Sequence, residues 1–85
     1  MNEEYVTQLD SVIKLKTVKI LAGATGSLST GLCTYMLSFL SFSAKEAKQV
    51  LAILVNDELL ATDSANVFSL TKKAHNLLEG GMNGE

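Results

Sequence analysis

Residues 43–78, SAKEAKQVLAILVNDELLATDSANVFSLTKKAHNLL, are punctuated into three pieces whose order decides the fold. Ser43 stands three residues before Glu46. That is capping-box spacing, in which the hydroxyl and the carboxylate each satisfy a backbone N–H left over at a helix start. A helix is therefore expected from about Ala44. Within it Ala47, Val50, Leu51 and Leu54 recur at helical spacing, while Lys45, Lys48, Gln49 and Ala52 recur on the opposite side. One face is core and the other is polar. The helix should end near Asn56 and Asp57. Residues 59–62 and 67–70 are short runs flanking Asp63-Ser64-Ala65-Asn66, whose side chains suit a tight turn, so a hairpin is expected. Thr71 can cap a last helix whose Ala74, Leu77 and Leu78 face inward, and Gly80-Gly81 read as its stop.

Toward the N-terminus, Ser41-Phe42-Ser43 is the turn before this helix, with Phe42 dropping inward. Thr30 can cap the preceding helix, in which Leu32, Tyr35, Met36, Phe39 and Leu40 lie on one side and form its core face. Cys33 and Leu37 fall off that stripe and read as padding on its flank. Ser27-Leu28-Ser29 is a short extended piece. Gly23-Ala-Thr-Gly26 ends the first helix, because glycine readily takes the left-handed conformation of a helix stop. In that first helix Val6, Leu9, Ile13 and Ile20 form one stripe, and Leu15, Val18 and Ala22 form a second nearly opposite. Two accounts fit. Either a long helix uses its C-terminal half for the core and offers Val6, Leu9 and Ile13 to a second subunit, or two short helices break near Lys14 and share one core.

The chain of 85 residues is one small domain, expected over residues 1–80 with an N-terminal helical extension at 1–14 and a frayed tail at 81–85. At this size folding covers only about 60 to 65% of the unfolded chain's surface, so a partner chain would help. A hydrophobic content of 47% excludes a disordered polar chain. The single cysteine, Cys33, has no internal disulfide partner, and no charged leader with a cleavage site is evident, so a reducing cytoplasm is expected. Residues 20–44 carry no charge, but they hold Gly23, Gly26 and Gly31 with eight Ser or Thr residues, which excludes a membrane span.

Catalysis is not expected. No phosphate-binding loop and no nucleophile elbow occurs. His75 and Cys33 are single, so one chain assembles no metal-ligand cluster, and no cofactor is expected. His75 reads as a surface or interface residue. The Asp57-Glu58 carboxylates point in different directions with no base nearby in sequence, and read as a solvated helix end.

Read together, the order is helix, short strand, helix, turn, helix, two-stranded wing, helix: a mainly α domain with a small β-hairpin. The segments LKTVKILAGATGSLST, LSFLSFSAKEAKQVLAILVNDELL and VFSLTKKAHNLL carry that order. It resembles the winged helix-turn-helix superfamily of small bacterial and archaeal regulators. The resemblance implies sequence-specific binding of double-stranded DNA by a dimeric transcriptional regulator, with the third helix in the major groove and the wing and second-helix start on phosphates. On this chain it would place Ser43, Lys45, Lys48, Gln49 and Ala52 at base edges, where Gln49 can pair with adenine and Ala52 can meet a thymine methyl. Thr30, Ser64, Asn66 and Lys72 would approach the backbone, Thr30 from a helix start whose N–H groups favour phosphate. Lys72 and Lys73 read equally well as a solvated helix face.

Several features motivate a second reading, a winged-helix domain used for protein contact without DNA. Net charge is −2, all seven cations are lysines, and the wing tip carries Asp63 and no cation. Arginine, the usual bidentate guanine reader, is absent. Gly23-Ala-Thr-Gly26 also resembles the loop with which KH domains clamp single-stranded nucleic acid. Its middle residues are not basic and the following pattern differs, so it reads as a plain helix stop.

Overall fold

Ser43 and Glu46 close the capping box that their spacing requires: the Ser43 hydroxyl accepts from the Glu46 N–H at 3.1 Å, and the Ser43 N–H donates to Glu46 Oε1 at 2.8 Å. The helix they start is the centre of the domain. The computed structural model describes residues 9–82. Its elements run α1 (Ser11–Ala22), β1 (Leu28–Ser29), α2 (Thr30–Ser38), α3 (Ala44–Asn56), β2 (Leu60–Thr62), β3 (Val67–Leu70) and α4 (Lys72–Met82). Four helices thus accompany a small antiparallel sheet with strand order β1-β3-β2.

The anticipated hairpin forms, with Leu60 opposite Leu70 and Thr62 opposite Phe68. Beyond a two-stranded wing, β1 joins the other edge of β3, pairing Leu28 with Phe68 and Ser29 with Val67. The core gathers Val18 and Leu21 of α1, Leu28, Cys33 and Leu37, Ala47, Val50, Leu51 and Leu54 of α3, Leu59, Leu60 and Ala74. All four expected core positions of α3 are in it. Phe42 packs against this cluster from the turn before α3, as do Leu77 and Leu78 of α4.

The end of α3 is built rather than frayed. Glu58 takes a left-handed φ of 65°, and two hydrogen bonds run back into the helix: Leu59 N–H to Leu54 O at 2.8 Å and Glu58 N–H to Val55 O at 3.0 Å. This is the Schellman arrangement, completed by burial of Leu54 and Leu59 at the two ends of the longer bond. Thr71 then docks here, its hydroxyl donating to Glu58 O at 2.6 Å while accepting from the Ala74 N–H at 3.2 Å, so it also caps α4.

Several expectations are corrected. Asp10 is extended and its carboxylate accepts from Ile13 N–H at 2.8 Å, so α1 begins at Ser11, and residues 1–8 of the expected N-terminal extension lie outside the described residues. Residues 11–14 are its first turn, and it passes unbroken through Lys14. Its buried residues are Thr17, Val18 and Leu21; Ala22 is exposed and Leu15 half-buried, so neither anticipated stripe is the core face. Gly23 ends α1 with φ −80°, a right-handed close that makes no use of glycine's freedom. Ser29, not Thr30, caps α2, accepting from Leu32 N–H at 3.1 Å. α4 runs through Gly80 and Gly81 to Met82, so the two glycines do not stop it.

The largest correction concerns α2. Cys33 and Leu37 are fully buried, whereas Tyr35 and Phe39 are 61% and 65% exposed. Two residues along a helix turn through about 200°, so burying the Cys33–Leu37 line turns Tyr35 and Phe39 outward. There the two rings meet edge to face with centroids 5.1 Å apart. Leu32, Met36 and Leu40 flank the buried line and reach the core from the sides.

Leu37→Ala should accordingly cost about 2 to 5 kcal/mol in urea-induced unfolding, and Phe39→Ala should stay within about 0.5 kcal/mol of the parent. The reverse ranking would mean that α2 packs by the other face. Glu58→Gly should stabilise by about 1 kcal/mol in the same measurement, because glycine removes the Cβ penalty of the left-handed cap.

Candidate functional site

Helical geometry gives α3 a second face once its first is buried. Lys45, Lys48 and Ala52 are exposed on it and Gln49 is half-buried. The aligned peptide dipoles of α3 put partial positive charge at its N-terminal end, partly offset there by Glu46 in the first turn. Lys45 and Lys48 therefore sit on the electropositive half of the helix. Ser43 is exposed, but its oxygen is committed to the cap, so its first role is to start α3.

An open depression of about 410 Å³ lies along this face. It brings together Thr30 from the start of α2 with Lys48 and Ala52, over an apolar floor of Leu51, Val55 and Phe68. Three of the expected contact residues thus share one surface with β3. The apolar floor was not legible in the sequence, because Leu51 counted as core, Phe68 as a strand residue, and Val55 was assigned to neither face. Pairing of Phe68 with Leu28 is what brings β3 and the start of α2 beside α3.

The remaining expected residues lie outside this depression. Ser64 and Asn66 are exposed in the hairpin turn, where backbone geometry explains the sequence. Asp63 Oδ1 accepts from Ala65 N–H at 2.8 Å and Val67 N–H at 3.0 Å, and Asn66 takes a left-handed φ of 61°. Lys72 is exposed at the start of α4. Of the residues read as a dimer ridge, Leu9 packs against the core, Ile13 is half-buried, and Val6 lies outside the described residues. Among the described residues the exposed large apolar side chains are Val12, Tyr35 and Phe39.

Asp57, expected to be a solvated end, is a junction. Its carboxylate pairs with Lys14 of α1 at 2.9 Å, and its carbonyl accepts from Lys73 of α4 at 3.0 Å. A second cavity of about 590 Å³ opens beside it.

Among the described residues no cluster of His, Cys, Asp and Glu is placed to hold a metal ion, and no helix is long and apolar enough to cross a membrane. No family model, curated protein or solved structure matches the chain.

Cys33 supplies a pH signature. Burial among apolar side chains pushes its thiol from the ordinary 9.0 up to about 11. The folded state therefore holds this proton more tightly than the unfolded chain, and stability from this group is complete below pH 9 and falls as pH rises toward 11. Iodoacetamide at pH 8 should modify Cys33 quickly in urea and very slowly in the native protein; equal rates would show that the thiol is accessible in the folded state.

Proposed function

We propose that the chain is a winged helix-turn-helix domain that binds double-stranded DNA as a dimer, with α3 in the major groove. The observation that carries this reading is the second face of α3. A helix anchored by a capping box and a complete apolar face holds Lys45, Lys48, Gln49 and Ala52 away from the core, with the start of α2 on one flank. The helix, strand, helix, helix, hairpin order and the β1-β3-β2 sheet support the winged-helix assignment.

In this reading Lys48 and Lys45 meet phosphates or guanine edges, Gln49 pairs with adenine, and Ala52 contacts a thymine methyl. Thr30, at the start of α2, approaches the backbone. Ser64, Asn66 and Lys72 contribute peripheral contacts, since Asp63 at the hairpin opposes phosphate. Few cations are available, so one domain binds weakly and two half-sites are required for useful affinity.

A specific observation favours a second reading, contact with another protein through α2. Tyr35 and Phe39 form an exposed edge-to-face pair on a helix without a charged residue. Exposed aromatics of this kind are enriched at interfaces.

Selection of duplexes from a random pool at about 100 mM salt, followed by titration of the enriched site, decides between them. DNA binding predicts an enriched sequence, loss of binding in Lys45→Glu with Lys48→Glu, and a salt slope lowered by about one unit when either lysine becomes alanine. Unchanged binding by the double variant, or no enriched duplex, overturns the DNA reading and leaves the protein-contact one.

A further inference from the structure

Asp57 draws two lysines from different helices to one place. Lys14 Nζ lies 2.9 Å from its carboxylate, and Lys73 Nζ donates to its carbonyl at 3.0 Å. Each ammonium carries three donors, so both keep N–H groups beyond these bonds. Among the described residues, two positive charges face one negative charge at this junction, inside a chain whose net charge is −2. Beside the ammonium groups is the 590 Å³ cavity, whose wall also includes Leu59, Leu77 and Asn76. Leu59 is 2% exposed and is held by the end of α3, so this part of the wall is fixed.

A concave, mainly apolar cavity with a few convergent polar groups is the form of a small-molecule site. The polar groups here are the Lys14 and Lys73 ammonium groups, the Asp57 carboxylate that Lys14 pairs, and the neutral Ser11 and Asn76, and the leucines provide an apolar remainder. We infer that the cavity binds a small amphipathic monoanion, an aliphatic carboxylate whose charged head meets Lys14 and Lys73 and whose chain lies on Leu77, over the buried Leu59. The Asn76 side-chain amide is a further donor or acceptor for the head. The Asp57 carboxylate, already paired with Lys14, does not cancel the second lysine. The carboxylate supplies a second negative charge and joins α1 to α4 across the end of α3. This site is independent of DNA binding by α3.

The test is a two-dimensional NMR titration of the full chain with hexanoate at constant ionic strength, with hexanamide as the neutral analogue. Hexanoate should shift the signals of Leu59, Leu77, Lys14, Lys73 and Asn76 saturably, with a Kd of about 1 mM, a reasonable affinity for a ligand of this size. Hexanamide should bind at least about tenfold more weakly, as expected for loss of a charge-assisted contact. Lys73→Gln and Lys14→Gln should each weaken hexanoate severalfold, and Lys14→Arg should retain it. Lys73 is exposed, so its variant reads binding even if Lys14→Gln perturbs α1. Equal binding of hexanoate and hexanamide, shifts that do not saturate, or unchanged affinity in Lys73→Gln would each overturn the proposal.

Discussion

The fold depends on how the chain leaves α3. A helix end carries carbonyl groups without intrahelical partners, and each needs another donor when the end is covered. Here the left-handed Glu58 returns two N–H groups to Leu54 and Val55, which reverses the chain at once and puts Leu59 and Leu60 into the core. Register then follows. Leu60 is fixed opposite Leu70, the Thr71 N–H reaches Leu59 O at 3.2 Å, and the Thr71 hydroxyl holds Glu58 O while capping α4. The ion pair of Lys14 with Asp57 is partly exposed on both sides and adds little stability by itself. Its effect is geometric, since it sets α1 against the same turn.

Because α3 is fixed at both ends and along its inner face, its outer face cannot rotate into the core. The same rigidity explains the depression beside it. Pairing of Leu28 with Phe68 carries the chain directly from β1 into Ser29 and Thr30, so the start of α2 must lie next to β3 and alongside Lys48 and Ala52. The surface offered there has charge at one side and an apolar floor, unlike the uniformly basic face of a strong phosphate binder.

What was legible in the sequence follows from local chemistry. The capping box, the four core positions of α3, the Asp63 turn and the Thr71 cap each rest on residues within a few positions of one another, and local spacing is what a sequence displays. α2 was not legible for the opposite reason. It has no charge, and its polar line, Thr30, Thr34 and Ser38, runs beside Cys33 and Leu37, so the sequence pattern turns the apolar stripe through Tyr35 and Phe39 toward the core. Only packing against α1 and α3 selects Cys33 and Leu37. Asp10 was overlooked as a cap because the apolar stripe of Val6, Leu9 and Ile13 runs past it. Asp57 looked solvated because its partners, Lys14 and Lys73, are distant in sequence and meet it only when the termini of three helices converge.

The charges left after that convergence bear on function. In the proposed DNA reading, the lysines on the outer face of α3 and at the start of α4 are Lys45, Lys48 and Lys72, with Asp63 opposing them at the hairpin. Lys16 and Lys19 lie on α1, and Lys14 and Lys73 meet at Asp57. In that reading, so few phosphate-facing cations would give a shallow salt dependence and weak association, and doubling the domain would multiply the contacts without adding any residue. A second chain gains most apolar burial where large side chains are exposed. On α2 these are Tyr35 and Phe39, on a helix that brings no like charge into a two-fold contact. For the proposed dimer, a contact that leaves α3 open has two exposed apolar surfaces among the described residues, Tyr35 with Phe39 on α2 and Val12 at the start of α1, and only the first is on a helix without charge.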